Sequence, residues 1–263
     1  MAGAAGVRCR LGTSISSIEQ HESAVTVAFT DASTGTFDLV IGADGISSTV
    51  RTLTFGAISP DYSGSMAWRS IAPIRPHGLD QLQFLLGDGC FFGLCPVGGG
   101  RTYGFGNITA PRSHEPMRGR LERLRRYFAS FGDPVQEYLG ALTNDEQIHC
   151  APVDAISLDS WHCGRAVLIG DAAHASSPMM GQGGCMAMED ALILAEALSS
   201  FDNLAEALEA YSARRWPRVS WVHRESSAVA ASFRLTPAIR NAALRQHGTQ
   251  MFRQRFAPLV TAP

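Results

Sequence analysis

Apolar and polar positions alternate early in the chain and take up a helical period later. SAVTVAFT (Ser23–Thr30) alternates with period two, STGT (Ser33–Thr36) reads as a turn, and FDLVIGADG (Phe37–Gly45) is an apolar strand running into Asp44-Gly45. Short strands are therefore expected between Val7 and Val40. GSMAWRSIAPI, LQFLLGDGCFFGLCPV and GRTYGFGNI, all between Tyr62 and Ile108, add strands separated by glycine turns, a spacing that suggests an antiparallel sheet. Gly98–Gly100 falls between two of these strands with no helix after it, so it reads as a hairpin turn and not a phosphate loop. Met117–Phe131 has the helical period: Leu121, Leu124 and Phe128 share a face, while Arg118, Arg120, Arg123, Arg125 and Arg126 crowd the others as a solvated surface.

The pattern changes again at RAVLIG (Arg165–Gly170), an apolar strand that delivers Asp171 beyond its C-terminal edge, where open α/β sheets hold ligands. A carboxylate there can accept hydrogen bonds from sugar-like hydroxyls. Pro178 then bends the chain, and Gly181, Gly183 and Gly184 let backbone approach a ligand before a helix from Cys185 to Leu198. Ala187, Ala191, Leu194, Ala195 and Leu198 form the apolar stripe of that helix, and the free amides at its start favour negative charge.

Composition narrows the chemistry. With 263 residues, 45% of them hydrophobic, and a net charge of -2, the chain suits one large or two small globular domains and has no basic excess for nucleic acid. Its apolar runs stay well short of the roughly 18 residues of a membrane span, and the expected location is cytoplasmic. Cys9, Cys90, Cys95, Cys150, Cys163 and Cys185 form no Cys-x-x-Cys pair, so reduced, mostly buried thiols are expected and no metal site. All 22 basic residues are arginine, which excludes Schiff-base chemistry and a P-loop lysine. His174 reads as a loop-packing histidine, and Cys185 as a small buried packing residue.

Two long motifs, DLVIGADGISSTVR (Asp38–Arg51) and GRAVLIGDAAHASSPMMGQGGCMAMEDA (Gly164–Ala191), stand in this order around the sheet-rich insert, with a helical YSARRWPRV (Tyr211–Val219) after them. Together they resemble the Asp-Gly and Gly-Asp motifs of single-component FAD-dependent aromatic monooxygenases, the group typified by para-hydroxybenzoate hydroxylase. The resemblance implies a mixed α/β fold: an FAD-binding Rossmann-like domain, truncated, with an inserted antiparallel substrate sheet and C-terminal helices. The segments are then 1–58 and 151–200 for the FAD-binding domain, 59–150 for the substrate sheet, and 201–263 for the helical end.

Carried over residue by residue, the resemblance has Gly170 and Asp171 hold the ribityl chain of FAD. Pro178, Gly181, Gln182, Gly183 and Gly184 line the flavin ring, and Asp44, Gly45 and Arg51 serve FAD and NAD(P)H. Trp68, Arg69, Tyr103 and Phe105 are the substrate candidates, with sheet core the alternative for Trp68 and Tyr103, since strand spacing alone does not say which way they face. No protein side chain is expected to be catalytic, because the cofactor carries the chemistry: NAD(P)H reduces the flavin, and one atom of O2 is delivered to an aromatic or polyketide-like molecule by hydroxylation or epoxidation. Halogenation, which in related enzymes uses a lysine and a Trp-rich motif, is set aside. The family's opening Gly-x-Gly-x-x-Gly unit has no counterpart here, and MAGAAGVRCRLGTSISSIEQ resembles the stretch that follows it. Three expectations follow: a sheet without its central strands, weak autonomous FAD binding, and self-association or a complementing N-terminal chain. The rival reading is a non-catalytic remnant or one half of a split flavoenzyme.

Overall fold

The computed structural model describes residues 6–263, so the part of the opening-stretch expectation that falls on Met1–Ala5 lies outside it. The chain begins with a three-stranded antiparallel meander, β1 (Ile15–Gln20), β2 (Val25–Phe29) and β3 (Thr34–Phe37). STGT belongs mainly to β3 and not to a turn. The reversal sits one step earlier, where the Asp31 carboxylate accepts hydrogen bonds from the amide and hydroxyl of Ser33 and Ala32 takes φ 64°.

The chain then forms β4 (Val40–Gly42) and α1 (Thr49–Phe55), and leaves for the insert. β5 (Asp61–Ala72), β6 (Gln83–Leu86), β7 (Cys90–Gly98), β8 (Arg101–Thr109) and β9 (Ile148–Ala155) pair in the order β6-β7-β8-β5-β9, entirely antiparallel. Gly98 pairs with Arg101 across the expected hairpin. Because β9 pairs with β5 along its length, the insert extends to Ala155, and a boundary at 150 would cut the strand.

Strand alternation decides what each side of this sheet carries. In TYGFG, Gly104 and Gly106 face α2 (Arg120–Tyr127) and α3 (Val135–Gly140), where a Cβ would stand 2.4 Å from ring atoms of Tyr138 and Phe128 respectively. Tyr103 and Phe105 consequently project from the opposite, open face. Trp68 pairs with Gly106, shares its side, and is buried against α2, with its ring 5.6 Å from that of Tyr127. Of the two readings of Trp68, substrate contact and sheet core, the structure has the second: it is a core residue and does not reach the face that carries Tyr103, Phe105 and its own neighbour Arg69.

α2 is shorter than the expected 117–131 helix, and its arginines are not all solvated. Arg120 is buried and donates to the carbonyls of Ile148 and Glu115, Arg123 pairs with Glu115 at 2.6 Å, and Arg125 donates to the carbonyls of Leu139 and Leu142. These guanidinium groups satisfy carbonyls at loop and helix ends that apolar side chains would leave unpaired.

After β10 (His162–Cys163), the buried strand β11 (Ala166–Leu168) pairs parallel with β4, Ala166 opposite Val40 and Leu168 opposite Gly42. Parallel pairing brings the C-terminal ends of β4 and β11 to one edge, so Asp44 and Asp171 emerge on the same side. The other edge of β4 has no partner strand among the described residues, and Ile41 is 45% exposed.

The chain closes with α4 (Asp171–His174), α5 (Gly183–Ser200), α6 (Leu204–Ser232) and α7 (Pro237–Phe256). α6 contributes Ala207, Leu208, Tyr211, Val219 and Val222 to the same core as Val25, Val167 and Leu194, so it is a wall of the first body and not an appendage. A second core lies between the insert sheet and α2–α3. Near the end of α6, Phe233 packs on Phe91 at 4.8 Å, and from α7 the buried Arg240 donates to the Gly87 carbonyl, tying both helices to the insert.

Candidate functional site

The Gly170-Asp171 turn is shaped by what packs beneath it. Gly170 has φ 59°, and a Cβ there would lie 2.9 Å from the Cβ of Ala187, so both backbone conformation and the approach of α5 require glycine. Asp171 starts α4, is exposed, and makes no hydrogen bond among the described residues. Pro178 opens a single 3-10 turn that Gly181 closes with φ 65°, and α5 starts two residues later with no side chain capping its amides. The Asp171 carboxylate comes back to this start, its Oδ1 standing 3.8 Å from where a Cβ of Gly183 would be. No atom lies within 4 Å of the corresponding position on Gly181 or Gly184. Gln182, the cap residue, uses its side chain only for a 3.4 Å contact with the Met180 carbonyl.

A free carboxylate, uncapped amides and a Cβ-free loop thus converge on open space. That donor and acceptor set fits a polyhydroxylated chain attached to a flat, electron-accepting ring, as FAD has.

The Asp-Gly motif is used differently. Asp44 accepts from the amides of Thr49 and Val50 at 2.7 and 3.0 Å and from the Ser48 hydroxyl, capping α1, while Gly45 takes φ 79°. Arg51 is buried, which lowers its pKa against the opposing pull of Asp44. Its Nη1 donates to the Ala172 carbonyl at 2.9 Å and its Nη2 to the Ile46 carbonyl at 2.6 Å. Arg51 therefore joins the two motifs internally, and the expected cofactor contact is corrected to a structural clamp.

The network beneath the turn was not expected from the sequence. Asp190 is fully buried on α5: its Oδ2 accepts from the Gly170 amide at 2.9 Å and lies 2.6 Å from His174 Nε2, while its Oδ1 accepts from Arg215 Nε at 2.8 Å. Arg215 also pairs with Glu189, which Arg218 shares. Burial opposes the Asp190 charge, but the hydrogen bond and charge of His174, the Gly170 amide and Arg215 hold its pKa below the ordinary carboxylate value. The buried stripe of α5 is Met186, Asp190, Ile193, Leu194 and Ala197; the expected stripe was rotated from it, and Ala191 and Ala195 are exposed. An aspartate in step with Met186, Ile193 and Ala197 was the available signal. Cys185, expected to be buried, is exposed, as are Cys9 and Cys163; all six cysteines are free. Among the described residues, no group of three acidic, His or Cys side chains could hold a metal, and no helix is long and apolar enough to cross a membrane.

On the insert, Arg69, Ile71, Tyr103 and Gln147 line an open recess of about 370 Å³. Tyr103 stacks on Phe105 at 5.4 Å, and Phe105 meets Phe84 edge-on at 5.3 Å, giving an aromatic floor beside an exposed guanidinium.

The FAD binding domain family model matches residues 1–226. The chain belongs to the FAD binding domain family. Among its monooxygenase relatives, aurachin C monooxygenase/isomerase of Stigmatella aurantiaca is 35% identical over 228 residues, covering 86% of this chain and 57% of the relative. FAD-dependent urate hydroxylase of Klebsiella pneumoniae is 36% identical over 219 residues, covering 80% and 56%. The crystal structure of Klebsiella pneumoniae HpxO complexed with FAD and uric acid superposes with a TM-score of 0.86 at 30% identity, over 96% of this chain and 67% of that one. The chain thus spans little more than half the length of these curated relatives.

Proposed function

We propose that this chain forms the ribityl- and ring-binding part of an FAD-dependent monooxygenase that uses NAD(P)H and O2 to oxidise an aromatic small molecule. The observation that carries the reading is the unpartnered Asp171 carboxylate beside the uncapped start of α5. When bound, the flavin supplies electron transfer and oxygen activation. Asp171 accepts hydrogen bonds from the ribityl hydroxyls. The amides of Gly183, Gly184 and Cys185 favour negative charge on the ring, and Pro178 with the Gly181–Gly184 loop lines its face. Tyr103 and Phe105 supply a flat apolar support for the substrate and keep water out, and Arg69 orients an acidic or hydrogen-bond-accepting group on it.

Asp171→Ala tests the assignment, since a hydrogen bond to a charged acceptor contributes about 1.5–3 kcal/mol, or about tenfold or more in affinity. Titrations with FAD and with riboflavin, followed by flavin fluorescence, should show that loss with no change in the melting temperature of the flavin-free chain. Equal affinities of parent and variant overturn it.

Exposed Ile41 on β4 and exposed Met188 and Leu192 on α5 support a second reading, in which a complementing chain or a second copy covers such apolar side chains. Size-exclusion chromatography of the chain alone tests this: a monomer that binds stoichiometric FAD overturns the reading.

A further inference from the structure

A separate cavity of about 210 Å³ lies between α6 and the loop after β9, smaller than the roughly 300–1,000 Å³ of drug-sized sites. Ile156, Leu158, Trp161, Trp216 and Val219 form its apolar walls, and the rings of Trp161 and Trp216 are 5.1 Å apart. Its remaining lining groups are Ser157, Ser220, His174, His223 and Arg224, so every titratable side chain on the wall is basic and none is a carboxylate. Asp171 and the Gly181–Gly184 loop do not line it.

Three of these basic groups carry nitrogens left without a hydrogen-bond partner among the described residues. His174 is buried with Nε2 held by Asp190, and its Nδ1 has no partner among the described residues. His223 has no hydrogen bond among them, and Arg224, exposed at the rim, has no carboxylate partner there, only the face of Trp221 at 5.9 Å. A fixed imidazole with one nitrogen anchored and the other free is a preorganised contact for a ligand atom.

We propose that this cavity is a binding site for a small planar organic anion, a single-ring aromatic carboxylate, with its ring between the apolar walls and its carboxylate on His174, His223 and Arg224. The site is distinct from the flavin site and does not depend on it. Its pH behaviour follows from the groups around His223. Burial and the neighbouring His174 of α4 lower the His223 pKa, while Asp61 of β5 works against them; Arg224 adds positive charge, and Asp190 and Arg215 stand behind His174. A bound carboxylate stabilises protonated imidazole, so the complex takes up a proton and tightens as pH falls.

Calorimetric titration of the full chain with sodium benzoate, and with benzyl alcohol as the neutral counterpart, tests the proposal. One benzoate should bind per chain, more tightly at about pH 5.5 than at about pH 7.5, as expected for a site governed by histidine. His223→Gln and Arg224→Gln should each weaken it about fivefold or more, the range expected for losing a charged contact, with unchanged circular dichroism. Arg118→Gln, exposed and away from both the cavity and the recess, should leave benzoate binding unaltered. The proposal is overturned if benzyl alcohol binds as well as benzoate, if no saturable heat is seen, if both α6 variants bind like the parent, or if Arg69→Gln, in the recess proposed for the substrate, removes the binding that the α6 variants keep.

Discussion

Arg51 Nη1 donates to the carbonyl oxygen of Ala172 at 2.9 Å across 121 positions of sequence. The contact joins α1, which follows the Asp-Gly motif, to α4, which starts with Asp171, and the same guanidinium returns to Ile46. The relative placement of the two motifs therefore rests on one buried side chain as well as on the β4–β11 pairing.

Replacing Arg51 with methionine leaves both carbonyls without their donor. An unsatisfied buried polar group costs about 1–3 kcal/mol, so a loss of about 2–4 kcal/mol in urea unfolding is expected. An unchanged midpoint would show that the guanidinium does not hold the motifs together.

Asp190→Asn should be more damaging at neutral pH, because breaking a buried ion pair costs about 3–5 kcal/mol. The folded-state pKa of Asp190 is depressed, so its contribution is complete above the unfolded value of about 3.9 and is lost as pH falls through the lower folded value. Thermal melts from neutral pH into that acid range should show the variant less stable at neutrality and with a shallower acid decline. Parallel curves would remove Asp190 from the acid response.

The two faces of the insert sheet can be told apart by substitution. Trp68→Ala should cost about 3–5 kcal/mol of stability, as for other buried aromatic truncations, whereas Phe105→Ala on the open face should cost less than half as much. Gly106→Ala places a Cβ 2.4 Å from the Phe128 ring and should cost about 1–3 kcal/mol, while Gly184→Ala meets open space and should cost nothing in the flavin-free chain. Similar melting temperatures for the Trp68 and Phe105 variants would contradict this assignment of faces.

Thiol labelling should divide the cysteines by exposure. Cys9, Cys163 and Cys185 are exposed and should react quickly with dithionitrobenzoate at neutral pH. Burial raises the Cys90 thiol and pushes Cys150 up to about 12, helped in each case by a nearby carboxylate, so both should react slowly until the chain unfolds. Fast labelling of Cys150 in the folded chain would contradict its partial burial.

The sequence alone carried the elements and the order of the motifs. Period-two runs marked β2 and the insert strands, the apolar run before Gly170 marked β11, and Gly98–Gly100 marked a hairpin, because each of these follows from local spacing and backbone permissiveness. The position of Asp171 past the strand end and of the glycines after Pro178 was legible for the same reason, since both follow from local spacing. The facing of Trp68, Arg69, Tyr103 and Phe105 was not legible, because which side the helices cover depends on Phe128 and Tyr138 arriving over Gly106 and Gly104. Only the folded chain brought Arg51 to Ala172, or Asp190 to His174 and Arg215. A buried charge is tolerated only where packing delivers its partners, and those partners come from other helices at distances in sequence that no local period encodes.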